Sequence, residues 1–274
     1  MSDQVQGLDP PPGGGHPGVD GPPSSVGDDA LNRVAAAVRR ISHTVVGQPV
    51  ADAELAEAAE RLSEVADRLE AAALPEKILR QFPDPDGHPQ DFFPTSPMTG
   101  VASPVAPPVE VWAVVGPGGQ REIRGRASFG YQYEGPPTCV HGGVIAELFD
   151  ELLGLANLAA NQPGMTGTLK IRYRRPTPLL APLELAARHT RRDGRKIFTW
   201  GGIFHDGELT AEAEGIFIEV PADRMRGIVS GNAVAVEAPI INAEWRQLLA
   251  EQGPGTGPRV GAPGTGPRSS PPRS

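Results

Sequence analysis

The segment GGVIAELFDELLGLANLAA (142–160) constrains this chain more than any other. Val144, Ile145, Leu148, Phe149, Leu152, Leu153, Leu155 and Leu158, with Ala146 and Ala156, cover nearly the whole circumference of a helix. A helix that is apolar all round has no face to give to water and must be buried. Its neighbours read as strands: VEVWAVV (109–115) and EIRGRASFG (122–130) before it, then TGTLKIRYR (166–174), LELAARHTRR (183–192), RKIFTWGGIFH (195–205) and ELTAEAEGIFIEV (208–220). A Gly-Pro-Gly-Gly run separates the first two. Asp193-Gly194 and Asp206-Gly207 separate the last three, which is the strongest short hairpin signal and predicts an antiparallel meander. Five or so antiparallel strands and one fully apolar helix are reconciled most economically by a curved sheet wrapped around that helix, an α+β architecture known as the hotdog fold.

Outside that domain the texture changes. The 274 residues include 34 Gly and 31 Pro, a level that points to low-complexity segments. They concentrate in PPPGGGHPGVDGPP (10–23) and in the tail, where PGTGPR occurs at 254–259 and again at 263–268. Residues 1–27 and 253–274 are therefore expected to be disordered arms. Between arm and domain, 28–73 reads as a helical extension of two segments, 28–45 and 50–73. In the second, Leu55, Ala58, Leu62, Val65 and Leu69 recur at three- and four-residue steps, an amphipathic pattern expected to pack on a domain or on a partner. Its acidic polar face argues against a membrane anchor. The Pro-rich stretch 74–108 is expected to be an ordered, extended linker lying along a surface groove. Residues 221–252 read as a C-terminal helical extension with Trp245, Leu248 and Leu249 as packing residues, leaving 109–220 as the hotdog domain.

Composition excludes several function classes. A formal charge of −8 disfavours nucleic-acid binding, which needs clustered Lys and Arg. The lone Cys139 excludes a disulfide framework and a Cys-based zinc cluster, and the scattered histidines show no paired ligand spacing, so no metal is expected. No apolar run reaches the ~18–20 residues of a helical membrane span, and the start has neither a basic nor an apolar signal region. Stable membrane insertion is not expected, and a reducing cytoplasm is the expected compartment.

Chemistry concentrates on the apolar helix. Glu147, Asp150 and Asn157 fall at steps of three and seven in one narrow polar stripe, with Glu151 about 100° away. A carboxylate enclosed by a sheet loses hydration, and its pKa rises toward the range useful to a general base. The alternatives are that these acids mark a solvent face or form a structural hydrogen bond. His141-Gly142-Gly143 leads directly into the helix, where orphan N–H groups and the helix dipole can hold a developing oxyanion. Cys139 stands two residues before His141, but a free cysteine is more often a small packing residue than a nucleophile.

With those residues in view, HGGVIAELFDELLG (141–154) resembles the hotdog acyl-CoA thioesterases of the phenylacetate-pathway and human thioesterase-superfamily types, whose signature is His-Gly-Gly, about six residues, then Asp. The resemblance continues through MTGTLKIRYRRPTPL (165–179) and DGRKIF (193–198) and spans roughly 109–220. It implies that an acyl-CoA is hydrolysed to an acid and free CoA without a cofactor. It implies Asp150 as general base or nucleophile, and Gly142 as the backbone donor to the thioester carbonyl. Thr166, with Thr168 as alternative, would position the water, often from the other subunit of a homodimer or homotetramer. His141 would orient the substrate side of the loop. Gly143, Arg174, Arg175, Arg195 and Lys196 would contact CoA, with Arg172 as a further cation near the phosphates; the arginines at 172–175 are alternatively assigned to the dimer. Glu134-Gly135-Pro136-Pro137 departs from the Asn or Gln that some members carry before the motif. A non-catalytic acyl-CoA binder or sensor on the same fold is the alternative reading.

Overall fold

The computed structural model describes residues 30–73, 89, 93–116 and 119–220. The expected arms, the C-terminal extension 221–252 and most of 74–92 lie outside the described residues. Two helices come first, α1 (Ala30–Gly47) and α2 (Asp52–Ala71), then β1 (Val109–Val115), β2 (Arg121–Ala127), a 3₁₀ turn (Tyr131–Tyr133) and α3 (Gly142–Ala159). Four strands close the order: β3 (Gly164–Tyr173), β4 (Leu183–Asp193), β5 (Lys196–His205) and β6 (Glu208–Glu219). They form one six-stranded sheet in the order β1-β2-β4-β5-β6-β3, with every pairing antiparallel.

The hotdog arrangement follows from where α3 puts its apolar surface. Ile145, Leu148, Phe149, Leu152, Leu153, Leu155 and Ala156 are buried in one core cluster with Val111 and Ile123 of the first hairpin, Leu185, Ile197 and Ile203 of the meander, and Phe217 of β6. Close approach of helix and sheet depends on two glycines. A Cβ on Gly201 would lie 2.9 Å from Leu153 Cδ2, and one on Gly215 would lie 2.9 Å from Leu153 Cδ1 and 2.7 Å from the Phe217 ring. The helix then stops at Asn161, which takes a left-handed φ of 55°, a conformation Asn tolerates better than most residues.

Both hairpin signals are realised, one of them displaced. His205 pairs with Glu208 across a two-residue loop, Asp206 and Gly207, with φ of 50° and 75°. Asp193, by contrast, pairs with Lys196. The loop is therefore Gly194-Arg195, with the positive φ on its first residue, the position where a type II′ turn takes glycine.

Within the described part of the Pro-rich stretch, the expected extended course is replaced by successive turns over 94–105. Ser96, Met98, Thr99, Ala102, Ser103 and Ala106 are buried there, and the Tyr133 hydroxyl donates to the Val105 carbonyl at 2.9 Å. Of the two expected supports for the apolar stripe of α2, a domain or a partner, the domain does not supply one, because α2 has no buried residue. Gly215→Ala should cost about 1–3 kcal/mol by overpacking against Leu153 and Phe217; urea denaturation measures it, and an unchanged midpoint would show that the helix–sheet spacing is looser than described.

Candidate active site

The first turn of α3 leaves N–H groups that no earlier turn can satisfy. His141 is its N-cap, and its Nδ1 accepts the Gly143 N–H at 2.9 Å. The adjacent Gly142 N–H has no acceptor among the described residues. On the carbonyl side, the Tyr173 hydroxyl donates to the Gly142 oxygen at 2.8 Å, which pins the start of α3 to the end of β3. The helix entry thus holds one donor engaged by its own cap and one beside it that can meet a ligand. Gly143, expected to contact CoA, spends its N–H on His141 in this arrangement.

The acids of α3 separate in a way that differs from the expected stripe. Glu147 and Asp150 are exposed, while Asn157 is buried and accepts from the Thr199 hydroxyl of β5. The desolvation expected at Asp150 falls instead on its neighbour. Glu151 accepts hydrogen bonds from the hydroxyls of Ser96 and Thr99. Burial pushes the Glu151 carboxyl above its ordinary range; those two hydroxyls and the Met98 backbone pull it back, and the nearby Glu147 adds to the rise. Glu151 therefore fastens the 93–103 turns to the helix. Asp150 remains open to a substrate, about 12 Å along the helix from Gly142 at 1.5 Å per residue.

Register decides between the two candidate threonines. In an unbroken strand Thr166 and Thr168 would share a face, but here Thr166 pairs with Phe217 and Thr168 with Ile216, with Gly167 bulged between them. A bulge of one residue inverts the alternation. Directly paired residues point to the same face. Thr166 thus shares the helix-facing side with the buried Phe217, as Leu169 and Ile171 also do, and Thr168 faces away.

The five expected CoA cations form two groups rather than one. Arg174 and Arg175 lie just past Tyr173, near the start of α3. Arg174 is paired with Glu212, which also holds Arg172 at 3.6 Å, and Arg175 is paired with Glu208 at 2.8 Å. Burial alone would raise the Glu212 carboxyl, but bonds from Arg174 and Trp200 and the charges of Arg174 and Arg172 bring it below its usual range. Arg195 and Lys196 stand at the other end of the sheet, where Lys196 pairs with Ile218 and Gly164 with Glu219. At about 3.4 Å per residue the length of β3 puts roughly 30 Å between the two groups in one protomer. Sequence reasoning missed Tyr173, Glu212 and the Ser96–Thr99–Glu151 cluster. Only Tyr173 had a local signal, as an aromatic on the helix-facing side of an alternating strand.

A buried helix in a wrapped antiparallel sheet, with a backbone donor at its entry and an open carboxylate two turns on, defines the class to which this protein is assigned. A family model described as the thioesterase superfamily matches residues 138–213. A solved structure described as a thioesterase superfamily protein is 35% identical, with a TM-score of 0.62, and the match covers 70% of this chain and 92% of that one. The chain belongs to the thioesterase superfamily. Acyl-coenzyme A thioesterase THEM4 of Xenopus laevis is 34% identical over 89 residues, 32% of this chain and 40% of the relative. THEM4 of Mus musculus is 32% identical over 97 residues, 35% of this chain and 42% of the relative. The matched region thus spans about two fifths of the length of these curated relatives.

The raised carboxyl of Glu151 has a pH consequence. A group that holds its proton more tightly when folded makes folding less favourable as pH rises from its unfolded value, near 4.5, toward its folded one. Glu151→Gln should remove that decline. Chemical denaturation from pH 4.5 upward tests this, and an identical pH profile in both proteins would contradict the assignment.

Proposed function

We propose that this protein hydrolyses the thioester of an acyl-CoA to a carboxylic acid and free CoA. The observation that carries the reading is that α3 offers an unengaged Gly142 N–H at its positive dipole end and, two turns on, an exposed Asp150 carboxylate. The Gly142 N–H donates to the thioester carbonyl and stabilises the negative charge that develops there. A carboxylate takes a proton from a water that attacks the carbonyl carbon; because Gly142 and Asp150 lie about 12 Å apart along one helix, the Asp150 that serves a given Gly142 is the one of the second copy. Collapse of the tetrahedral intermediate expels the CoA thiolate, which is then protonated. His141 holds the entry turn in shape through Gly143, and Tyr173 fixes it from the other side. The relatives named acyl-coenzyme A thioesterase support the substrate class.

The site is completed by a second copy. Among the described residues β3 is an edge strand that pairs only with β6, and an open edge invites pairing. The protomer's own Thr166 lies about 20 Å from the Tyr173 end of β3, so it is on the far side of Asp150 from Gly142. Antiparallel pairing of two β3 edges reverses that order and brings the partner's Thr166 to the side where Gly142 polarises the carbonyl. It also brings the partner's Arg195 and Lys196 beside Arg174 and Arg175, gathering both cation groups around one CoA. A homodimer is the minimum unit on this reading. A single cysteine, and no helix among the described residues long and apolar enough to cross a membrane, support a cytoplasmic location.

Asp150→Asn should lower turnover of acyl-CoAs by about 10²–10⁴-fold while binding persists, and Cys139→Ala should leave turnover unchanged. A thiol-release assay across short, long and aromatic acyl-CoAs reads both; tight binding without thiol release by the unaltered protein would overturn the reading. Thr166→Ala should depress turnover far more than Thr168→Ala, and equal effects in the same assay would remove the face argument.

A further inference from the structure

Four cations crowd the β4–β5 hairpin, Arg191, Arg192, Arg195 and Lys196, and they are of two kinds. Arg191 lies over the Phe198 ring, with its guanidinium carbon 3.5 Å from the centroid. Arg192 is spent on three acceptors. Its Nε donates to the Gly194 carbonyl at 2.9 Å, its Nη1 to Gln162 Oε1 at 2.9 Å, and its Nη2 to Glu219 Oε2 at 2.5 Å. Arg195 makes one side-chain bond, to the Glu219 carbonyl at 3.3 Å. No carboxylate among the described residues lies within ion-pair distance of Arg195 or Lys196, whereas Arg172, Arg174 and Arg175 are each paired with an acid. Of the expected CoA cations, only Arg195 and Lys196 carry charge that the described part of the chain leaves unpaired.

Unpaired like charges at a two-residue turn repel, so the turn needs support. Gly194 has a positive φ of 54°, and a Cβ there would meet nothing within 4 Å; no packing holds that side. Arg192 supplies the hold. Two of its bonds end on fixed points. Gln162 is tied to the end of α3, its N–H donating to the Asn157 carbonyl at 2.8 Å, and Glu219 pairs with Gly164 in the sheet. The third bond grips the turn itself at the Gly194 carbonyl. Glu219 holds the other half, since its N–H donates to the Arg195 carbonyl at 2.8 Å. A guanidinium can serve three acceptors in three segments at once, which the point charge of a lysine on its flexible stem does not do. We infer that Arg192 is a positioning residue for the CoA nucleotide: it fixes the Gly194-Arg195 turn so that Arg195 and Lys196 meet the phosphates already ordered. The inference rests on the acyl-CoA reading above and concerns binding of the nucleotide, not the chemistry at the thioester. Without Arg192 the ligand must order the turn itself, which should weaken binding about tenfold.

The test compares two thioesters of one acyl group on the full chain: acyl-CoA, and acyl-N-acetylcysteamine, which lacks the nucleotide. Arg192→Gln should raise KM for acyl-CoA about tenfold with kcat unchanged, and leave both constants for the truncated thioester as they were. Arg192→Lys should behave as Arg192→Gln does. Gln162→Ala, which removes one anchor, should shift KM the same way by a smaller factor, and it carries the comparison if circular dichroism shows Arg192→Gln unfolded. Proportionate losses on both thioesters would mark a merely structural role and overturn the inference. So would a native KM for acyl-CoA in either Arg192 variant. Affinity for free CoA, read by calorimetry, separates this inference from the reaction. An unaltered protein that releases no thiol yet binds CoA about tenfold more tightly than Arg192→Gln would refute the thioesterase reading alone. Equal CoA affinity in both proteins, or CoA binding by neither, would overturn the inference.

Discussion

Burial of α3 is the interaction on which the rest of this structure depends. Leu148, Phe149, Leu152 and Leu153 are removed from water altogether, each worth about 1.5–3 kcal/mol relative to exposure. Apolar burial alone does not say how the helix is turned, and polar contacts do. Asn157 against Thr199, Glu151 against Ser96 and Thr99, and Tyr173 against the Gly142 carbonyl hold three points along it. With those fixed, Asp150 falls on the exposed side of the helix. The exposure of the catalytic candidate is thus a consequence of how its neighbours are satisfied.

The fold was legible because its signals are local. The all-round apolar helix, the alternating strands and the turn dipeptides each lie within one short window, and the observed elements follow them closely; β1 spans Val109–Val115 and α3 spans Gly142–Ala159. What escaped depends on residues far apart in sequence. No spacing rule says that Ser96 will meet a carboxylate 55 residues later, so nothing marked Glu151 rather than Asp150 as the enclosed acid. The bulge at Gly167 is set by pairing with β6, and it reverses which threonine faces the helix.

The candidate site was partly legible for the same reason. His141, Gly142 and Asp150 lie on one element, so their order is fixed by helix geometry. The threonine and the cations come from strands, and their convergence depends on the strand order and on what occupies the β3 edge. In one protomer Gly142 and the arginines at 172, 174 and 175 lie at one end of the sheet, and Arg195 and Lys196 lie at the other. On the proposed reading, pairing of two β3 edges is what brings those parts to one site.

The most direct test mixes two impaired full-length variants, His141→Ala and Asp150→Asn, allows subunits to exchange, and follows thiol release from an acyl-CoA. If the carboxylate that serves the His141–Gly142 entry comes from the partner, each mixed dimer holds one site with both native residues, and random exchange should return about a quarter of the unaltered rate. A rate no higher than the mean of the two variants would place both residues of each site on one chain and contradict the shared site.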